Sequence, residues 1–205
     1  MELIEGLKLR GRPAEIPDCS RDDLPQFFVD MGFKVGAEIG VDKAKFTERL
    51  CKVGLKIYGV DPWLCYDGYD PEFGQKKLDD RFERCKRTLA PYDCTLIRKT
   101  SMEAVKDFED GSLDFVYIDG HHGLKWVVED IFEWSKKVKK GGIVSGHDFA
   151  RNAHPIDGPW VLQVVPAVRA YVDAFQIKNW YLLGSPKPGP EERRDTFRSW
   201  MWINP

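Results

Sequence analysis

Cysteine is scarce in this chain of 205 residues: there are five (Cys19, Cys51, Cys65, Cys85, Cys94), an odd number with no C-x-x-C pair. That argues against structural zinc and against a disulfide framework, and it favours thiols acting as small apolar core residues in a reducing compartment. Long apolar runs are missing, since no stretch approaches the ~20 residues a bilayer span needs. The first residues interleave Glu2, Glu5, Lys8, Arg10 and Arg12 with leucine and glycine, unlike the apolar core of a signal peptide. A cytoplasmic protein without a membrane partner is the expectation. Neither sign of charge dominates, with 31 Lys and Arg against 33 Asp and Glu and a net charge of −2. A surface built for nucleic acid would normally be basic. Internal repeats and low-complexity tracts are absent as well. What is present, 42% hydrophobic and 31% charged residues, suits one globular domain with a substantial core.

The hydrophobic pattern alternates between short runs and helical spacing. Val35 to Gly40, Ile57 to Asp61, Cys94 to Ile97, Leu113 to Asp119 and Ile143 to Gly146 read as strands. Between them, Phe46, Leu50 and Val53 lie at helical spacing before Gly54, and Leu78, Phe82, Cys85 and Leu89 do so before Pro91. Thr100 and Glu103 have capping-box spacing. Leu124, Val127, Val128, Ile131 and Val138 form the longest stripe, broken by Gly141-Gly142, and Val164, Val168, Tyr171 and Phe175 form another. Trp180 to Leu183 and Phe197 to Ile203 are late strands with no clear helix between them. The expectation is an α/β fold: a doubly wound, mostly parallel, seven-stranded Rossmann-like sheet with an antiparallel C-terminal edge hairpin. Residues 1–205 are expected to form a single domain, with an N-terminal extension over 1–19 and an accessory helix over 20–32. Trp200 and Trp202 make one face of the edge very aromatic, which suits core packing or a contact in a homodimer.

In such sheets ligands bind beyond the carboxyl ends of the strands, where strand order reverses. The polar residues of interest gather at those ends: Glu38 to Asp42, Asp61, Thr100-Ser101, Asp119 to His122, and His147-Asp148. Gly40 permits close approach at a helix start, and Asp61, 21 residues further on, is placed to accept ribose hydroxyls. The G-x-G-x-x-G fingerprint is missing, and Glu38 and Asp42 would repel a pyrophosphate. A ligand with a ribose and an amino group but no phosphate fits better, and S-adenosylmethionine is such a ligand.

Four segments carry a resemblance: Ala37-Glu-Ile-Gly-Val-Asp42, Tyr58-Gly-Val-Asp-Pro-Trp63, Val116-Tyr-Ile-Asp-Gly-His-His122 and Gly141-Gly-Ile-Val-Ser-Gly-His-Asp148. In this order they resemble the motifs of class I S-adenosylmethionine-dependent methyltransferases, in particular the small bacterial and phage branch related to macrocin-type and cephalosporin-biosynthesis O-methyltransferases. The likeness runs from about residue 20 to the end. One position departs from it, since Ala44 stands where the family usually has glycine. Its methyl either packs against the helix start or tightens the methionine pocket.

The resemblance implies that Glu38, Gly40 and Val41 hold the methionine end and Asp61 the ribose. It places Pro62 and Trp63 beside the adenosine, where Trp63 either stacks on it or serves as a lid or core residue, and Ser101 and Met102 at the adenine edge, with Asp119 and His121 completing the cofactor site. Asp119, His121, His122 and Asp148 are the catalytic candidates. Methyl transfer is an in-line displacement in which the protein aligns the acceptor and removes its proton, a task either histidine can serve near neutrality. In the related metal-dependent branch, acids at the fourth and fifth strand ends bind Mg²⁺, which makes Asp119, His147 and Asp148 the candidate ligands for Mg²⁺ or another divalent ion.

A histidine after Asp-Gly can also simply cap loop backbone, and His154 reads as a solvated loop residue. The loops from Trp63 to Phe73 and from Phe149 to Trp160 are candidate lids. The leading expectation is O-methylation of a small-molecule hydroxyl, sugar or phenol. The alternatives are a methyltransferase acting on RNA or protein, a metal-dependent hydrolase using the His/Asp cluster, and a nucleotide-binding module without turnover.

Overall fold

Burial on both faces decides the middle of the sheet. All six residues of β5 (Leu113–Ile118) are buried, and β2 (Val35–Ile39) is buried from its second residue on, as expected of parallel strands covered by helices on both sides. The computed structural model describes residues 3–65, 74–150, 162–184 and 197–205. The remaining strands there are β1 (Ala14–Ile16), β3 (Lys56–Val60), β4 (Cys94–Ile97), β6 (Val138–Phe149), β7 (Tyr181–Leu183) and β8 (Arg198–Ile203). They form one sheet in the order β1-β7-β8-β6-β5-β2-β3-β4, in which only β8 runs antiparallel to its neighbours.

The helices are α1 (Leu3–Gly6), α2 (Leu24–Asp30), α3 (Lys45–Lys52), α4 (Gln75–Leu89), α5 (Ser101–Ala104), α6 (Leu124–Lys137) and α7 (Val164–Ala174). Apolar residues of α2, α3 and α4 join Ile57, Phe115 and Tyr117 in one core layer, where Phe28 stacks on Phe115 at 3.9 Å. Residues of α6 and α7 join Val116, Val144, Trp200 and Trp202 in the other. The sheet is thus doubly wound, and strand order reverses between β2 and β5.

The expected Rossmann-like α/β sheet with its antiparallel C-terminal hairpin is present, with corrections. Among the described residues there are eight strands rather than seven. The additional one, β1, comes from the segment expected to be an extension and pairs in parallel with β7, so the β7–β8 hairpin lies one strand in from the edge. Three residues with alternating burial are too short a signal to stand out in sequence.

The expected accessory helix over 20–32 is split. Ser20 and Asp23 form a capping box around a 3₁₀ turn (Arg21–Asp23), and α2 follows. Gly141-Gly142 does not separate helix from strand, since β6 begins at Val138 and runs through both. A methyl on Gly142 would lie 2.4 Å from the Asp114 carbonyl oxygen, so glycine lets β6 close on β5 where their register shifts.

On α6 the buried stripe is Val127, Ile131 and Trp134, while Leu124 and Val128 face solvent. Two apolar stripes compete there; Leu124, Val128 and Phe132 are exposed, and Val127, Ile131 and Trp134 join the second core layer. Trp200 and Trp202 are fully buried, stacked on each other, with Tyr171 stacked on Trp202, which is the expected core packing. No helix among the described residues is long and apolar enough to cross a membrane.

Candidate active site

The ends of β2 and β5 meet at the reversal of strand order. Gly40 follows β2 at φ +92°, and its amide donates to the Val60 carbonyl at 2.8 Å. A methyl there would lie 2.2 Å from the Asp119 carbonyl oxygen. The glycine therefore serves close packing of two strand-end loops, as well as any ligand above them. Val41 is buried behind it. Ala44 adopts a left-handed conformation at φ 60°, fully buried, and its carbonyl accepts the Glu48 amide at 3.0 Å as α3 begins. Its methyl packs against the helix start.

Glu38 points from β2 into the first core layer. It is 2% exposed, and its Oε2 has no hydrogen-bond partner among the described residues. Burial pushes its carboxyl well above the usual carboxylate range. A buried acid with one open oxygen next to the Gly40 loop can take a group that donates hydrogen bonds.

Asp61 closes β3. One carboxylate oxygen accepts the Asp42 amide at 2.9 Å and the other the Trp63 amide at 2.8 Å, so the ribose candidate also ties two loops together. Burial raises its pKa, opposed by these same amides. Trp63 is almost fully buried and donates its indole N–H to the Asp42 carbonyl at 3.1 Å while packing on Phe82, so its ring belongs to the core. The Pro62 and Trp63 carbonyls accept from the Arg98 guanidinium at 3.4 and 3.1 Å. Arg81 of α4 pairs with Asp42. These arginines, which position the loops, carried no motif signal in the sequence.

After β4, Thr100 and Glu103 form the expected capping box. Ser101 Oγ donates to Asp130 of α6 and accepts the Trp134 indole N–H at 2.8 Å. Met102 packs against the second core layer.

The catalytic candidates converge beyond β5 and β6. His122 Nε2 lies 2.8 Å from Asp148 Oδ2. His147 Nδ1 lies 3.3 Å from Asp148 Oδ1 and 3.7 Å from Asp119 Oδ1, and Arg21 approaches Asp119 Oδ2 at 3.3 Å. Arg21, from the 3₁₀ turn before α2, is a further residue that sequence reading missed, because nothing local places that turn over the sheet. Asp119, His122, His147 and Asp148 line one cleft with Val164 and Trp200. Asp148 is held left-handed at φ 57°.

The two adjacent histidines divide. His121 Nδ1 accepts the Gly123 amide at 2.9 Å and its ring stacks on Trp126 at 4.0 Å, so it caps the loop. Burial and the neighbouring His122 lower its pKa. His122 is desolvated too, yet the Asp148 hydrogen bond outweighs that and raises its pKa. Burial would raise Asp148, but His122 and His147 bring it below the usual carboxylate range. Asp119, which burial penalises and Asp148 repels, is pushed up to about 7.

Asp119, His122 and Asp148 each offer a ligand atom within 4.8 Å of the others. The expected metal ligands were Asp119, His147 and Asp148; the structure groups His122 with the two acids. Two carboxylates and an imidazole suit a divalent ion of intermediate softness such as Mn²⁺ better than an all-oxygen Mg²⁺ site. Of the candidate lids, 66–73 and 151–160, which include His154, lie outside the described residues.

A family model described as a methyltransferase domain matches residues 34–149, more than half of the chain, from the start of β2 to the end of β6. One curated relative, an uncharacterised protein of Sinorhizobium fredii, is 37% identical over 65 residues, which is 32% of this chain but only 7% of that protein. Among solved structures, an O-methyltransferase of Bacillus cereus in complex with S-adenosylhomocysteine is similar, with a TM-score of 0.59 and 12% identity over 88% of this chain and 78% of that one. An rRNA methylase of Streptococcus thermophilus is similar to the same degree, with a TM-score of 0.58 and 12% identity over 88% and 93%. At such identities the likeness concerns the fold. The family match covers the strands whose ends build this site, and on that ground the chain belongs to the methyltransferase-domain family.

Proposed function

We propose that the protein transfers the methyl group of S-adenosylmethionine to a hydroxyl of a small molecule, a sugar or a phenol, with a divalent ion held by Asp119, His122 and Asp148. The observation that carries this reading is the joining of those three groups beyond β5 and β6, beside the Gly40 and Asp61 loops. The resemblance to macrocin-type enzymes points to the same acceptor class. The near-balanced net charge supports a small acceptor over a nucleic acid.

The acceptor oxygen attacks the methyl carbon in line as the carbon–sulfur bond breaks, giving the methyl ether and S-adenosylhomocysteine. The hydroxyl proton passes to the cluster. With no ion bound, Asp119, whose pKa lies near neutrality, is its natural recipient, and the Asp148–His122 pair holds the facing side in one orientation; with Asp119 ligating an ion, the proton would pass to water beside the cluster. Glu38 and the Gly40 loop bind the methionine end, and Asp61 binds the ribose. A bound divalent ion would orient the acceptor oxygen and lower its pKa.

The test is calorimetric titration of S-adenosylhomocysteine into metal-stripped protein, repeated with Mg²⁺ and Mn²⁺. Micromolar binding, on the order of −8 kcal/mol, supports the cofactor assignment, and metal uptake that Asp148→Ala abolishes supports the ion site. No cofactor binding under any condition would defeat the reading and redirect attention to ester hydrolysis by the His/Asp cluster.

A further inference from the structure

Asp130 is a buried carboxyl that the transfer chemistry does not use. It is 4% exposed on α6, behind the loop that follows β5, and a methyl on Gly120 would lie 3.6 Å from its Oδ2. Its hydrogen bond to Ser101 spans two elements, tying the interior of α6 to the first residue of α5. Trp134, fully buried one turn further along α6, donates its indole N–H to the same Ser101 oxygen at 2.8 Å.

A serine hydroxyl has one proton and two lone pairs. Here the proton is directed at Asp130 and one lone pair is taken by Trp134, so only an acceptor is left. Ser101 itself is half-buried and opens α5 shortly after β4.

We propose that Asp130 is a positioning residue for cofactor specificity: by fixing the Ser101 proton inward it makes Ser101 Oγ an obligate hydrogen-bond acceptor, which selects a purine bearing an exocyclic amine over one bearing a carbonyl there. This rests on the reading that Ser101 borders the adenine ring. With adenine, the amine donates to Ser101. With hypoxanthine, a carbonyl oxygen faces a serine oxygen that has no proton to offer. The arrangement is dry and rigid, with Asp130 and Trp134 in the core, so the hydroxyl is not free to reorient.

The experiment compares S-adenosylhomocysteine with S-inosylhomocysteine by calorimetry, well above pH 7, because burial pushes Asp130 up to about 7 and the carboxylate form is required. Wild type is expected to prefer the adenine compound by at least about tenfold, since a site that hydrogen-bonds one group leaves its acceptor facing another in the analogue. Asp130→Leu frees the hydroxyl proton to turn outward, and the preference should fall to within about twofold, with the weaker ligand gaining. Asp130→Asn keeps a carbonyl acceptor and should retain the preference. So should Trp134→Phe, which leaves the proton where it is. A merely structural Asp130 would lower affinity for both ligands in parallel and leave their ratio unchanged, and that result overturns the proposal. Equal binding of both ligands by wild type overturns it as well and needs no variant to fold. Failure of both ligands to bind wild type would instead count against the cofactor reading on which the proposal rests.

Discussion

Two aspartates mark the two ends of β5, five residues apart, and the fold treats them in opposite ways. Asp114, at the amino end, accepts the Lys34 and Val35 amides at 2.6 and 2.9 Å and pairs with Lys139 at 2.5 Å. Burial alone would raise its pKa, but these partners bring it below the usual carboxylate value. Asp119, just past the carboxyl end, is flanked by Asp148 and buried with less compensation, and burial first, then that carboxylate, push it up to about 7. One acid is satisfied and structural, and the other is held in readiness. Backbone strain follows the same division: of six non-glycine residues with positive φ among the described residues, Asp42, Ala44, Trp63 and Asp148 lie at or just past the carboxyl ends of strands. Strain and perturbed acids gather where ligand binding can use them.

The sharpest way to break this comparison is to neutralise both acids. Asp119→Asn is expected to lower kcat of metal-free protein by about 10²–10⁴-fold, the usual range for a lost proton acceptor. The same change should stabilise metal-free protein above neutral pH. The folded pKa is raised relative to the unfolded chain, so ionisation of Asp119 opposes folding. In wild type, stability contributed through this group falls as pH rises from about 4 to about 7 and is then constant, a span on the order of 2–4 kcal/mol. Urea unfolding across that range should show the slope in wild type and not in Asp119→Asn. If the variant were less stable at high pH, the reading of Asp119 as a desolvated, uncompensated acid would be wrong.

Asp61 sharpens the contrast within the carboxyl end, because it is both perturbed and satisfied. Asp61→Ala removes acceptors from the Asp42 and Trp63 amides as well as from a ribose, and is expected to weaken S-adenosylhomocysteine binding by 100-fold or more, on the order of 3 kcal/mol. Asp61→Asn keeps an acceptor oxygen and should lose about tenfold. Asp148→Ala should spare cofactor binding in metal-free protein while reducing turnover. A calorimetric result with the Asp61 and Asp148 phenotypes exchanged would reverse the roles given to the two loops.

The same division marks what was legible in the sequence. Every strand-end acid and histidine of the site could be read from short apolar runs ending in polar residues, because a strand buried on both faces leaves a local signature. Arg21, Arg81, Arg98 and Asp130 could not. Each acts across distant elements, and nothing in their own neighbourhoods distinguishes them from solvated helix charges. The eighth strand was hidden for the same reason, since Ala14–Ile16 is a strand only because β7 lies beside it. The role of Trp63 stays open in sequence because an aromatic after Asp-Pro looks the same whether its ring faces the cofactor or the core. The α6 stripe was misjudged because two apolar faces were available and only tertiary packing chooses between them.

At the amino end the expected effects are smaller and purely structural. Asp114→Asn should leave cofactor affinity unchanged and cost about 1–3 kcal/mol, the range for weakening charge-assisted bonds to partly buried groups. Lys139→Gln should cost less still, no more than about 1 kcal/mol at low ionic strength, because Lys139 is nearly half exposed and both backbone amides still satisfy Asp114. The pH dependence gives this small effect its diagnostic value. The folded pKa of Asp114 is depressed, so the stability it contributes is present above the unfolded value near 4 and is lost as pH falls through the folded value. The difference between wild type and Lys139→Gln should therefore vanish in acid, where no ion pair exists in either protein, and shrink with added salt at neutral pH. A difference that persisted unchanged in acid would mean that Lys139 supports the sheet through its ammonium over the ring of Phe33, 5.3 Å from the centroid, and the electrostatic contrast between the ends of β5 would then rest on the backbone amides alone.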